Sequence, residues 1–149
     1  MNYTELEQKI GKQIESDWHQ ASGGGWIQKN AKVQNEANIQ DNAIVMGNAR
    51  VYDNAQVSGD AQVSGDAQVS GDAYVYGNAQ VSGNACVYDN AQVSGDAKVF
   101  GHAWVFGYAR VYDNARVSDN ARVSDDAWVF GNAQVVDNAV VCEDMNLWQ

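Results

Sequence analysis

Proline is absent from the 149 residues, and threonine occurs once, at Thr4. An ice-binding surface made of threonine ladders is therefore excluded. Basic residues are also scarce, 9 against 19 acidic ones, and the formal charge of −10 opposes contact with nucleic-acid phosphates or anionic membrane surfaces. No apolar run approaches the roughly 20 residues of a transmembrane span. Residues Met1 to Gln20 carry too much charge for a signal peptide. The chain is accordingly expected to be soluble and cytoplasmic, with neither DNA nor lipid as a direct partner. With two histidines and two cysteines, it has few of the side chains from which metal or nucleophilic sites are built.

What the sequence does contain is a period of six. From Ala31 it divides into about nineteen units of the form Ala-x-Val-x-[Gly/Asp]-[Asn/Asp], and a Val or Ile recurs every sixth residue from Val33 to Val141. Ala55 to Asp60, Ala61 to Asp66 and Ala67 to Asp72 each read Ala-Gln-Val-Ser-Gly-Asp. Such regular aliphatic spacing separates the chain from disordered low-complexity sequence.

Ala and Val lie two apart, so on a strand they share one face and the residues beside them take the other. The Gly-Asn, Gly-Asp or Asp-Asn pair that follows suits a corner, because these residues tolerate positive φ. Three strands and three corners close a coil of 18 residues, which stacks on the next at roughly 4.8 Å. The expected fold is an all-β parallel β-helix of about six coils over residues 31–149, with a short C-terminal cap. Residues 1–30 form an N-terminal helix and a glycine-rich lead-in.

The unit resembles the hexapeptide repeat of the left-handed parallel β-helix superfamily over residues 31–144. The left-handed winding is implied by that resemblance. Units such as Ala-Arg-Val-Tyr-Asp-Asn, after a lead-in of Gly24, Gly25, Trp26 and Ile27, are similar to loop-free hexapeptide proteins of bacterial and prophage genomes. Pentapeptide-repeat DNA mimics share the acidic charge, but a period of five does not fit.

At the N-terminus, Thr4 and Glu7 read as a capping box, and Leu6, Ile10, Ile14 and Trp18 recur every four residues. This spacing predicts one amphipathic helix over residues 4–20, stopped by Gly23 to Gly25 and plugging the first coil against end-to-end pairing. Met145, Leu147 and Trp148 break the repeat and are expected to fold over the last coil.

Hexapeptide acyltransferases, which the repeat resembles, use a histidine base beside a bound acyl-CoA at a subunit boundary. Here His102 is the one histidine in the repeats and takes a corner position. An acyltransferase reading would rest on it alone. The three-histidine zinc site of β-helical carbonic anhydrases cannot be assembled, and no metal, cofactor or catalytic residue is assigned. Cys86 and Cys142 point outward on one face three coils apart, roughly 14 Å, which is too far for a disulfide. Both are expected to be free thiols. The corner acids, among them Asp53, Asp60, Asp66, Asp72, Asp89, Asp96, Asp113, Asp125 and Asp126, are spaced too irregularly to suit a nucleic-acid mimic.

The outward positions change character along the chain. Gln56, Ser58, Gln62, Ser64, Gln68 and Ser70 are small and polar, whereas Tyr74, Tyr76, Tyr88, Phe100, Trp104, Phe106, Tyr108, Tyr112, Trp128 and Phe130 follow. The 18-residue period places Phe106 over Tyr88, Trp128 over Arg110 and Phe130 over Tyr112, with Tyr108 on the corner between the two faces. These residues are expected to form one continuous aromatic patch. Exposed aromatic residues with arginine are frequent anchors of protein contacts. The expected function is therefore non-catalytic protein binding or scaffolding through Tyr88, Trp104, Phe106, Tyr108, Arg110, Tyr112, Trp128 and Phe130. The partner would be the chain itself, as a homotrimer, or a host protein. The prophage resemblance suggests a specific version, a phage-encoded inhibitor of a host defence enzyme.

Overall fold

A computed structural model describes residues 1–143 and 145–148. The chain is a parallel β-solenoid of about seven coils whose strands, mostly two residues long, stack in three sheets. The first face runs from Trp26–Gln28 through Ile44–Val45, Gln62–Val63, Gln80–Val81, Lys98–Val99 and Arg116–Val117 to Gln134–Val135. The second runs from Lys32–Val33 to Val140–Val141, and the third from Gln56–Val57 to Asn146–Trp148. Successive strands of a face lie 18 residues apart and pair in parallel, as Val87 does with Val105 and Val93 with Val111. The number of coils exceeds the six expected because strands outside the regular repeat add to both ends.

The inward set is the Ala–Val pair of each unit. From Ala61 to Val129 every one of these side chains is fully buried, and Ile27 and Ile39 take the valine position in the first coil. Alternation along two-residue strands accounts for this, since only every second side chain can face the axis.

The corners separate two roles. The fifth residue of each unit from Asp41 to Glu143 is left-handed, with φ between 56° and 68°. Glycine or aspartate holds that position everywhere except at Glu143. Glycine meets the backbone requirement by lacking a Cβ. Aspartate pays a conformational cost but accepts a hydrogen bond from the backbone N–H one coil above: Asp41 from Gly59 at 3.0 Å, Asp113 from Gly131 at 3.1 Å and Asp89 from Gly107 at 3.2 Å. From Asn42 to Asn138 asparagine occurs only at the sixth position, which it shares mainly with aspartate. There Asn48, Asn54 and Asn78 donate to Asp66, Asp72 and Asp96 at 3.2, 3.1 and 3.2 Å, one pair on each corner.

Both termini depart from expectation. The helix, α1, spans Tyr3–Ile10 only. Its capping box joins Asn2 and Glu5: Asn2 Oδ1 accepts from the Glu5 N–H at 2.9 Å, and the Glu5 carboxylate accepts from the Asn2 N–H at 2.7 Å. Gly11, at φ 84°, ends it well before Gly23. Ile14 is exposed, and Trp18 belongs to a strand, Trp18–Gln20, paired antiparallel with Trp26–Gln28. The four-residue spacing is a helical stripe for Leu6 and Ile10 only, and does not extend to Ile14 and Trp18.

Nor does α1 plug the coil. It lies along the outside of the first face, where Leu6 packs with Trp18 and Ile44, flanked by Tyr3, Ile10, Trp26 and Met46. Ile44 is fully buried although it points away from the axis. The lead-in covers the lower edges: Gly25 N–H donates to the Ile39 carbonyl at 3.0 Å and Gly23 N–H to that of Glu36 at 3.2 Å. A Cβ at Gly25 would fall 2.6 Å from Ile39 Cγ2, so this close approach needs glycine.

At the other end Asn146–Trp148 does not fold over the last coil. It continues the third face in register with Trp128–Phe130, Leu147 taking the inward place above Val129.

Candidate binding surface: two aromatic clusters and a corner groove

Side chains on the outward side of each sheet form two files per face. On the second face Cys86, Trp104 and Arg122 succeed one another in one file, while Tyr88 and Phe106 stand in the other. Tyr88 and Phe106 stack with centroids 5.0 Å apart and planes 3° apart. Trp104 meets Tyr88 edge-on at 6.3 Å, and the Arg122 guanidinium lies over the indole at 4.8 Å.

The third face repeats this arrangement. Tyr112 and Phe130 stack at 5.1 Å and 4°, Trp128 meets Tyr112 edge-on at 6.3 Å, and Arg110 lies 5.3 Å from the Trp128 centroid. The difference is in the cation, which comes from the coil above Trp104 but from the coil below Trp128. The likeness has a sequence origin. Val87 to Asn90 and Val111 to Asn114 both read Val-Tyr-Asp-Asn, while Ala103 to Gly107 and Ala127 to Gly131 both read Ala-Trp-Val-Phe-Gly. Each element recurs 24 residues on, one coil plus one face.

Tyr108 projects from the corner between the two faces. Among the described residues no ring contact joins it to either cluster, so the expected continuous patch is two ring clusters flanking a corner. Of the remaining outward aromatics, Phe100 stands apart on the first face and Tyr74 and Tyr76 lie lower on the third.

Beside that corner lies a groove of about 420 Å³ lined by Asn90, Gln92, Tyr108, Arg110, Asp126, Trp128 and Asn146. A second, of about 200 Å³, is lined by Tyr76, Gln92, Ser94, Arg110, Tyr112 and Trp128. Gln92, Arg110 and Trp128 line both and form the wall between them. Asn90, Gln92, Asp126 and Asn146 are absent from the sequence-based site. Their signal was available in the period, since Asn90, Tyr108 and Asp126 are 18 residues apart.

Burial pushes the Tyr88 hydroxyl above the usual tyrosine range, Asp89 and Cys86 adding to the effect and Arg122 opposing it. Tyr112 shifts the same way, through burial and then Asp113, against Arg110. Burial also raises the Cys86 thiol, disfavouring its reactive thiolate. Cys86 and Cys142 are both free. His102 is exposed on the corner between the first and second faces and lines neither groove. Among the described residues no three His, Cys, Asp or Glu side chains converge as a metal site would require. Among the described residues no helix is long and apolar enough to cross a membrane.

Five stretches of the chain are similar to the YdcK beta solenoid repeat. They are residues 49–65, 67–83, 79–95, 109–125 and 115–130, together just under half of the chain. This match and the stacked sheets agree that the chain is a β-solenoid repeat protein. The matched stretches include Tyr88, Tyr112 and Trp128 but leave out Trp104, Phe106 and Tyr108. No curated protein and no solved structure shows a significant match.

Proposed function

We propose that this chain is a non-catalytic binding or scaffold protein that contacts another protein surface through its paired aromatic clusters. One observation carries the reading: the same Tyr–Trp–Phe arrangement, with an arginine against each tryptophan, is built twice, on outward positions of the kind that Gln and Ser fill from Gln56 to Ser70. Cross-strand ladders alone would explain the half-buried stacked pairs Tyr88–Phe106 and Tyr112–Phe130. They do not explain Trp104 and Trp128, which are 39% and 41% exposed and contribute nothing to the core. Tryptophan and arginine are the residue types that most often anchor protein contacts when water is excluded around them. A second copy of the chain, as in a homotrimer, and a foreign protein such as a host defence enzyme are both suitable occupants.

The test is the double variant Trp104→Ser and Phe106→Ser, with circular dichroism to establish that the solenoid persists. A fall in solution mass identifies the occupant as another copy. Unchanged mass with loss of a partner captured from the native cell identifies a foreign protein. If mass and captured partner are both retained, the aromatic side chains are ladders and the reading fails.

A further inference from the structure

Each corner carries one bonded asparagine–aspartate pair, and on the corner between the second and third faces the next asparagine up has no acid above it. Asn54 donates to Asp72 there in the ordinary way, but one coil above Asn90 stands Tyr108, and above that Asp126. Tyr108 thus separates Asn90 from Asp126 along this corner. Among the described residues the Asn90 amide, the Tyr108 hydroxyl, the Asp126 carboxylate and the Arg110 guanidinium make no side-chain hydrogen bond or ion pair. All four line the corner groove against Trp128.

From this juxtaposition we propose that the corner groove binds a neutral oligosaccharide, with Trp128 stacking against the C–H face of a sugar ring. Several features select that ligand class. The groove's volume of about 420 Å³ lies in the range of small-molecule sites, roughly 300–1,000 Å³. Five of its seven lining residues carry amide, carboxylate or guanidinium groups, which a wholly apolar ligand would leave unmet. Arg110 and Asp126 offset one another within it, and the chain carries −10 overall, which opposes an anion. What remains is a ligand rich in neutral donors and acceptors that also has an apolar face. Amide, carboxylate and guanidinium groups offer paired donors and acceptors at a spacing that neighbouring hydroxyls can bridge. Because Trp128 and Arg110 also wall the second groove, a chain of sugars can pass over the indole toward Tyr76 and Ser94. The proposal shares Trp128 and Arg110 with the protein contact proposed above but rests on the groove beside them; Trp104 and Phe106, the pair that tests that contact, stand on the other face.

The experiment is titration of the full chain with soluble neutral oligosaccharides, trimers to hexamers of glucose, mannose, galactose and N-acetylglucosamine, with adenosine as a competing class. Tryptophan fluorescence and calorimetry report binding, and circular dichroism melts report folding. At least one oligosaccharide is expected to bind at millimolar concentration or tighter. Trp128→Ala should weaken that binding at least about tenfold, as should the double variant Asn90→Ala and Asp126→Ala, with melts unchanged. Trp104→Ser with Phe106→Ser should leave it intact. Absence of binding by every oligosaccharide at about 10 mM overturns the proposal. So does binding that is insensitive to Trp128→Ala, or preference for adenosine.

Discussion

At each corner a single residue must hold a left-handed backbone, and glycine and aspartate manage it differently. Asp113 sits at φ 57° and accepts the Gly131 N–H at 3.1 Å. Asp113→Gly loses that hydrogen bond but keeps backbone freedom, whereas Asp113→Ala loses both. The alanine variant is therefore expected to be about 1–2 kcal/mol less stable than the glycine variant, measured by urea unfolding. Equal stability would show that the left-handed position carries no strain. Inside the coil the constraint is of another kind. Val87 is fully buried in an interior lined by Ala and Val, so Val87→Asp places a charge where nothing can pair with it. Loss of the cooperative thermal transition is expected; a soluble variant that melts cooperatively would contradict the inward register.

Tyr88 and Tyr112 add a pH dependence at the same scale. Burial raises both above the ordinary tyrosine value of about 10, so the folded state retains protons that the unfolded state releases. Their contribution is complete below that pH and is lost as pH rises through the folded values. The melting temperature of the native chain should therefore fall more steeply above about pH 10 than that of a Tyr88→Phe, Tyr112→Phe double variant. Parallel curves would argue against any raised titration.

Among the elements, α1 is the one attached from outside. Leu6 is its fully buried residue, and Lys9 reaches Asp60 at 2.8 Å. Leu6→Ala should release the helix at a cost of about 2–5 kcal/mol of docking, exposing Trp26 and Ile44 while leaving the coils paired. Faster amide exchange over Tyr3–Ile10, with unchanged protection in Val63 to Val129, is the expected signature. The Lys9 hydrogen bond holds the Asp60 carboxyl below its ordinary range. A depressed carboxyl stabilises above its unfolded value, about 3.9, and loses that contribution as pH falls through the folded one. The pair is partly exposed, so the effect should stay under about 1 kcal/mol.

At the scale of the whole molecule, each coil touches only its neighbours, as in other solenoids. Removing one complete coil, residues 61–78, should therefore preserve every face, with Asp60 passing directly to Ala79. A folded rod with a lower melting temperature is expected; loss of cooperative melting would mean that this coil has a role beyond stacking.

The amino-acid order determined the six-residue unit, the inward Ala and Val, the corners and the outward aromatics from Tyr74 on. These follow from alternation and φ preference, which act over a few residues and repeat without a break. It also contained the 24-residue recurrence of Tyr, Trp and Phe, which an 18-residue reading passes over. The tertiary structure alone decided where α1 docks, that Trp18 pairs as a strand, that Leu147 pairs above Val129, and which groups meet in the corner groove. Spacing within one segment could not show that Leu6 would bury against Ile44, or that Asn90 and Tyr108 would share a groove with Trp128. Those outcomes depend on contacts between residues 18 or more apart, where packing overrides local pattern.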